Sequence, residues 1–366
     1  MRIGILTHYD VNNQGAQLQL YALYKQLEQM GHTPIVLTYR KNYDFIPELE
    51  KRNQITFSSI PYIWKHFLLE KGWGLTWHNT KKYLINKKFR ERSFRFSPYC
   101  SASIDTAIVG ADEVFSLELG ANMMMYGHGV NTDYMIAYAP SFGQTDMNRI
   151  CSFHCKELIS SGLKKFISLS ARDLNTANII RSFTGSNVDL VCDPALLYNF
   201  PLDTYKLPKG VPNKDYLVVY SYDARFIDMS EIKAIRKFAE KHGLLTVSPG
   251  TYHKWCDINI ACNALEWLKC IQKSKAVITD TFHGTIAAAI TQRPLAIYYS
   301  KTVNSTKMLD LVNRLNLLDR LLRSVSYEEI ERVFAKDMDT IALGMCIDRL
   351  RADSNSYLQK ALSIVK

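Results

Sequence analysis

The sequence of Ala276–Ile290, AVITDTFHGTIAAAI, decides the fold of its part of the chain. An apolar run typical of a buried strand ends in Asp-Thr-Phe, and a helix of small residues starts at once with His-Gly-Thr. The first turn of such a helix presents N–H groups without intrahelical partners and the positive end of the helix dipole. We therefore predict an anion site at this junction, with the titratable side chain of His283 inside it.

Four residues of the junction are candidate site residues. His283 can supply or remove a proton near neutral pH, and Gly284 would let a ligand approach the backbone. Thr281 and Thr285 are expected to contact the same ligand. The alternative is a histidine that only packs at a strand-to-helix corner. The functional interpretation is favoured because the usual capping residue types lie just upstream and leave the imidazole at the exposed junction.

Composition limits the function classes. The chain has 366 residues, of which 47% are hydrophobic, enough to fill two domains. No charged-then-apolar leader precedes the first strand pattern and no apolar run reaches about 18 residues, so we expect a cytoplasmic protein. The eight cysteines form no C-x-x-C pair, which predicts reduced thiols and no zinc cluster. No nucleic-acid recognition motif appears.

Strand and helix patterns alternate along the chain. Ile3–Thr7 predicts a strand, Gln14–Gln29 a helix and Pro34–Tyr39 the next strand, the βαβ beginning of a parallel sheet. We predict an α/β protein with two doubly wound, Rossmann-like domains facing across a cleft. The predicted bounds are residues 1–205 for the N-terminal domain, 213–340 for the C-terminal domain, and 341–366 for a helix that packs back on the first domain.

Polar residues stand at several predicted strand ends. In the first turn, Asn13 could position an acceptor and Gly15 could shape the chain, while the absence of G-x-G-x-x-G excludes a dinucleotide fingerprint. Asp112 could cap a helix, bind a sugar hydroxyl or act as a base. Arg172 has a planar fork suited to phosphate or carboxylate, unless it pairs with Asp173.

Two more strand ends complete the set. Lys301 ends the strand after the His283 helix, so we expect it near His283, where it would supply charge to a phosphate site. Cys192-Asp193-Pro194 is interpreted as a structural turn, because Pro194 biases Asp193 toward extended geometry.

A basic aromatic segment follows the first strands. Residues 51–97 contain eleven Lys or Arg against two Glu, and their aromatic side chains include the Trp, Tyr and Phe at positions 64, 67, 73, 77, 83 and 89. Basic residues interleaved with aromatics are typical of a surface that contacts anionic membrane. The alternative is a solvated helical insert whose aromatics pack on the domain.

The ordered set of motifs resembles the polysaccharide pyruvyl transferase family. The matching segments, in chain order, are Ile3–Leu6, Asn13–Ala16, Val109–Phe115, Ser141–Gly143, Ala171–Asp173, Cys192–Leu197, Glu266–Leu268 and Thr279–Thr285. Departures from the family's Gly-Ser-Asp-Gln-Val-Trp are Ala111, Glu113 and Phe115, which concern the acceptor pocket.

The resemblance implies a GT-B-like fold and a reaction. Family members move pyruvate from phosphoenolpyruvate onto two sugar hydroxyls as a ketal, without a cofactor. His283 would be the general acid, Arg172 and Lys301 would hold the donor's anionic groups, and Asp112 is a candidate base. Gly143 is implied as a further substrate contact. The acceptor sugar, free or lipid-linked, would explain a peripheral membrane contact through residues 51–97.

Two other functions remain open at this point. A nucleotide-sugar glycosyltransferase of the same architecture would hold a diphosphate at the same helix N-terminus. A non-catalytic sugar or phosphate binding protein would use the same two-domain cleft.

Overall fold

The computed structural model describes residues 1–39, 72–118, 122–222, 224–299 and 305–365, and its elements are numbered over these residues. They form two α/β domains, each around a parallel sheet, as predicted. Within the described ranges, no helix is long and apolar enough to span a membrane. All eight cysteines are free thiols. No group of three or more metal-ligating side chains occurs in this described part.

The first sheet has seven strands in the order β3-β2-β1-β4-β5-β6-β7. Every recorded pairing is parallel, which leaves both faces to be covered by helices. The strands are β1 (Arg2–Leu6), β2 (Thr33–Thr38), β3 (Phe96–Pro98), β4 (Thr106–Val109), β5 (Met135–Ala137), β6 (Phe166–Ala171) and β7 (Asp189–Leu190). The helices are α1 (Gln14–Gln29), α2 (Gly72–Ser93), α3 (Met147–Ser152), α4 (Lys156–Leu163), α5 (Leu174–Thr184) and α6 (Pro194–Leu197).

The second sheet has six strands in the order β10-β9-β8-β11-β12-β13, also parallel. Its strands are β8 (Tyr216–Tyr220), β9 (Leu245–Pro249), β10 (Ile258–Ile260), β11 (Ala276–Thr279), β12 (Leu295–Tyr298) and β13 (Leu321–Leu322). The helices are α7 (Met229–Lys241), α8 (Ala264–Lys273), α9 (Phe282–Ile290), α10 (Ser305–Arg314), α11 (Tyr327–Phe334) and α12 (Thr340–Ser363).

Helix α12 crosses from the second domain back to the first. The Tyr357 hydroxyl donates to the carbonyl of Ala137 at 2.8 Å, and the Ser354 hydroxyl accepts the N–H of Cys192 at 2.8 Å. Arg351 donates to the carbonyls of Leu196 and Leu197. These bonds fix the end of β5 and the turn after β7.

The chain between β5 and β6 forms two helices, α3 and α4, because His154 between them has a φ of +55°, outside the helical region. Residues 51–97 were expected to be an insert. Of these, 51–71 lie outside the described residues, whereas α2 is the crossover from β2 to β3 and residues 96–97 belong to the sheet. The end of this segment is therefore part of the sheet architecture.

Candidate active site

A cleft of about 530 Å³ lies where the carboxyl ends of strands from both sheets meet. The first sheet contributes residues after β1, β4, β5 and β6, and the second contributes residues after β8 and β11 and from α10. The lining residues are His8, Val11, Asn13, Ala16, Asp112, Glu113, Ser116, Glu118, Asn122, Gln144, Arg172, Tyr222, Phe282, His283 and Lys307. Of the predicted site residues, Asn13, Asp112, Arg172 and His283 therefore share one cavity.

His283 is held by the strand-to-helix corner that the sequence predicts. Thr281 is the N-cap of α9, and its Oγ1 accepts the N–H of Gly284 at 3.0 Å. The cap fixes the direction in which the helix leaves β11. The imidazole at the second helical position then lies in the cleft wall, with its Nε2 atom buried and without a hydrogen bond.

Three predicted contacts of this corner are occupied by the protein itself. A Cβ atom on Gly284 would overlap Oγ1 of Thr279 and Thr281, so this glycine allows helix α9 to pack on β11 instead of admitting a ligand. The Thr285 hydroxyl is buried and donates to the carbonyl of Thr281 at 3.0 Å. Thr281 is itself used as the cap. None of the three is among the residues that line the cleft.

Asp193 links Arg172 and His283. Its Oδ2 accepts from the Arg172 guanidinium at 2.9 Å and lies 3.6 Å from Nε2 of His283, and its Oδ1 accepts the N–H of Ala195 at 3.0 Å. The Asp193 carboxylate is fully buried and the Arg172 side chain is 2% exposed. The three groups form a buried cluster that joins the two domains.

The charge of this cluster sets the ionisation of Asp193. Burial would raise the pKa of the Asp193 carboxyl, but the adjacent His283 and Arg172 side chains and the Ala195 N–H outweigh it and lower the pKa to about 2. Asp193 is therefore ionised at neutral pH and places a negative charge 3.6 Å from Nε2 of His283.

Arg172 is positioned by its partners and by an aromatic ring. Its guanidinium lies 4.4 Å from the centre of the Phe282 ring and 3.6 Å from Oδ1 of Asp112. The alternative partner, Asp173, instead caps α5 and accepts from the Ser141 hydroxyl at 2.6 Å. Nε of Arg172 is buried without a hydrogen bond in the described structure. A donor therefore remains on an arginine that lines the cleft.

The turn after β1 and the start of α1 pack against the His283 side chain. Asn13 is the N-cap of α1, and its side chain accepts the N–H of Ala16 at 3.1 Å. A Cβ atom on Gly15 would overlap Cβ, Cγ and Nδ1 of His283. Gly15 therefore allows the first turn of α1 to lie directly against the imidazole, which makes it a packing residue of the site.

Asp112 and Glu113 form the acidic side of the cleft. Asp112 has a φ of +75°, and its carbonyl accepts the N–H of Ser141 at 2.9 Å, which fixes this turn between β4 and β5. Burial would raise the pKa of Asp112, but the charges of His283, Arg172, His8 and Lys307 lower it. Asp112 is therefore a carboxylate at neutral pH.

Lys307 pairs with Glu113 across the cleft. Lys307 is on α10 of the second domain and Glu113 follows β4 of the first, and each side chain is less than one-sixth exposed. The ammonium also lies 5.9 Å from the centre of the Phe282 ring. Lys301, the predicted cation, lies outside the described residues.

The predicted contact at Gly143 lies behind the cleft wall. Its N–H donates to the Ser141 hydroxyl at 2.9 Å, and a Cβ atom would meet the Glu113 carboxyl group. With a φ of +60°, Gly143 shapes the loop that supports Glu113. Gly143 is not among the residues that line the cleft.

Sequence reasoning missed two functional residues. Asp193 was interpreted as a turn residue because it precedes proline, and the turn is real, since Asp193 caps α6. Like Asp112 and Arg172, Asp193 lies at the end of a predicted strand, and that position was the signal for a role in the site. Lys307 had no comparable signal, because a lysine in the first turn of a helix is normally a solvated side chain.

Comparisons with known proteins agree with this geometry. The family model described as polysaccharide pyruvyl transferase matches residues 13–301. No curated protein matched the sequence. The UDP-GlcNAc 2-epimerase of Neisseria meningitidis, bound to UDP-GlcNAc, superposes with a TM-score of 0.52 at 10% identity, covering 99% of this chain and 100% of that chain.

Two further solved structures show weaker similarity. The glycosyltransferase SnogD from Streptomyces nogalater has a TM-score of 0.46 at 11% identity, covering 100% of this chain and 98% of that chain. Arabidopsis thaliana UGT89C1, complexed with UDP, has a TM-score of 0.49 at 10% identity, covering 99% of both chains.

The fold and the family follow from different findings. The two parallel sheets and the superposition on the Neisseria epimerase establish two Rossmann-like domains in a GT-B-like arrangement, and an identity of 10% says nothing about the ligand. The family model spans more than half of the sequence and includes the His283 corner, the Asp193 turn and Arg172. The chain therefore belongs to the polysaccharide pyruvyl transferase family.

Proposed function

We propose that this protein transfers pyruvate from phosphoenolpyruvate to two hydroxyls of a sugar as a ketal, in the synthesis of a cell-surface polysaccharide or glycan. The observation that carries the proposal is the buried Asp193 carboxylate that joins Arg172 and His283 at the cleft. It combines a cation for an anionic donor with a proton donor whose orientation is fixed by packing.

The donor needs cations for its phosphate and its carboxylate. Arg172 offers its guanidinium to one group, and Lys307 offers its ammonium to the other, with Lys301 proposed as a further cation. Because Lys307 is paired with Glu113 in the free protein, the donor would take Lys307 from Glu113. The Glu113 carboxylate would then face the acceptor.

The reaction begins with a proton transfer. His283 gives a ring proton to the methylene carbon of phosphoenolpyruvate, and positive charge develops at C2. One sugar hydroxyl adds to C2 and loses its proton, and the C2–O bond to phosphate breaks to release inorganic phosphate. The second hydroxyl adds to the same carbon, gives its proton to the released phosphate and closes the ketal. The Asp112 carboxylate, which lines the cleft, stabilises the positive charge that develops at C2.

The acceptor would bind on the first-domain side of the cleft. Asn13 and Asp112 are placed at that wall, and Asp112, ionised at neutral pH, is the proposed base for the attacking hydroxyl. Amide and carboxylate side chains are suited to sugar hydroxyls. We propose a cytoplasmic enzyme, where phosphoenolpyruvate is available, acting on a free or lipid-linked sugar.

Donor use tests the proposal directly. Purified protein is mixed with a panel of acceptor sugars and either phosphoenolpyruvate or a UDP-sugar, and released inorganic phosphate and UDP are both measured. We expect phosphate release with phosphoenolpyruvate only, and a product heavier than the acceptor by the pyruvate ketal. When the reaction is run in D₂O, the methyl group of the ketal should carry one deuterium. Release of UDP instead would assign a glycosyltransferase.

A further inference from the structure

Helix α2 is built with its polar side inward. Its buried side chains include His78, Lys82, Asn86 and Arg90, which recur every four residues and therefore lie along one face. A helix on the surface of a globular domain normally turns an apolar stripe toward the core and a charged face toward solvent. In α2 this pattern is reversed.

The buried polar face ties α2 to both domains. Arg90 pairs with Asp10 at 2.8 Å, the Asn86 amide donates to Oδ1 of Asn12 at 2.8 Å, and the Lys82 ammonium donates to the carbonyl of Gly250 at 2.9 Å. Asp10 and Asn12 belong to the first turn of the chain, and Gly250 to the loop after β9. Helix α2 is therefore held in a fixed orientation beside the cleft.

The outward face carries large apolar side chains. Trp73 and Trp77 are 73% and 72% exposed, and Leu84 is 59% exposed. With 3.6 residues per turn, positions 73, 77 and 84 fall along a single stripe of the helix. Exposed tryptophans at helical spacing are unfavourable in water, which makes this stripe a candidate contact surface.

Positive charge flanks the stripe. Lys81, Lys87, Lys88 and Arg92 are exposed on the same side of α2, and Glu91 is the acidic residue among them, 3.9 Å from Lys87. Tryptophans bordered by lysines match the boundary between lipid headgroups and acyl chains, where the ring sits at the headgroup level and the ammonium meets anionic phosphate.

We infer that the outward face of α2 binds an anionic lipid surface. A second copy of the chain is a poorer occupant, because two such faces would bring like charges together. The inference rests on α2 alone, whichever reaction the cleft performs. If the proposed function holds as well, the contact would keep the cleft at the surface that carries a lipid-linked acceptor.

Vesicle binding by the full chain tests this inference. The protein is co-sedimented with vesicles of phosphatidylcholine alone or of equal parts phosphatidylcholine and phosphatidylglycerol. We expect binding to the anionic vesicles only, weakening as salt is raised. Trp73→Ala with Trp77→Ala, and separately Lys87→Glu with Lys88→Glu, should each weaken binding about ten-fold or more.

A matched pair elsewhere provides the control. Ile341 and Met345 on α12 are 78% and 70% exposed and have the same four-residue spacing, so Ile341→Ala with Met345→Ala should bind as the parent does. The tryptophan variant should also keep phosphate release with a soluble acceptor, which separates this inference from the proposed function. Absent vesicle binding by the parent, unchanged binding by the tryptophan variant, or a parent dimer that the variant abolishes would each overturn the inference.

Discussion

The two walls of the cleft are built in different ways. The second-domain wall depends on one continuous corner, from β11 through the Thr281 cap to His283. The first-domain wall is assembled from the ends of separate strands, which bring Asp112, Arg172 and Asp193 together from positions up to 81 residues apart. The comparison shows that a few neighbouring residues position the His283 side chain. The charged groups around it depend on the fold of the whole first domain and on the relative orientation of the two domains.

The largest effect is expected from removing the carboxylate that joins the walls. Asp193→Asn leaves Arg172 buried without its main charge partner, which should cost about 3–5 kcal/mol of unfolding free energy and abolish most activity. The exposed Asp189, four residues earlier, provides the control, because Asp189→Asn should change stability by less than about 0.5 kcal/mol. Denaturant unfolding measures both. A stable Asp193→Asn variant with normal activity would contradict the assigned linkage.

The same residue predicts a pH dependence. The folded-state pKa of Asp193 is about 2, below its value in the unfolded chain of about 3.9. Its contribution is therefore complete above about pH 4 and is lost as the pH falls toward 2, about 2–3 kcal/mol in all. The stability difference between parent and Asp193→Asn should shrink over this range. A difference that stays constant from pH 5 to pH 2.5 would show that the carboxylate is not stabilised in the folded state.

Gly15 tests the contact between the walls without changing a charge. Gly15→Ala places a methyl group on the base of the His283 side chain, so α1 and α9 must separate. We expect a loss of about 1–3 kcal/mol and a fall in kcat of about ten-fold or more, because the imidazole is displaced. Gly344→Ala on α12 is the matched control, since its new Cβ meets its nearest atom at an ordinary distance of 3.8 Å. Equal behaviour of the two variants would remove Gly15 from the site.

Removing the charge of Glu113, which pairs with Lys307 across the cleft, should have a smaller effect. It should strengthen donor binding, whereas the preceding substitutions weaken activity. Glu113→Gln frees Lys307 for the donor, so the KM for phosphoenolpyruvate should fall about five-fold, corresponding to about 1 kcal/mol. Glu118→Gln removes a carboxylate that lines the same cleft but pairs with Arg149, and should leave this KM unchanged. A raised KM in Glu113→Gln would mean that Lys307 needs Glu113 to hold its position.

The fold and the second-domain wall of the cleft could be predicted from the sequence for physical reasons. Hydrophobic periodicity and capping residues act within a few positions, so the alternation of strands and helices and the α9 corner were visible. The packing contacts of Gly284 and Thr285 in this corner were not visible. Whether a glycine faces a ligand or a neighbouring strand depends on packing between elements, which a local pattern does not contain.

The first-domain wall could be predicted only in part. Asp112 and Arg172 were found because strand ends of a parallel sheet meet at one edge. Their shared partner, Asp193, was not, because the contact depends on the register between neighbouring strands. The Lys307 contact depends further on how the two domains are oriented. Charge pairing across a cleft is thus the least predictable part of this site.

His283 tests the central claim most directly, that the local corner supplies the proton for pyruvyl transfer. The measurement is the rate of inorganic phosphate release from phosphoenolpyruvate in the presence of the acceptor, for the parent and for His283→Ala, with folding of both verified by circular dichroism. We predict a loss of about 10²–10⁴-fold with the fold retained. A folded His283→Ala protein that releases phosphate at the parental rate would contradict the account.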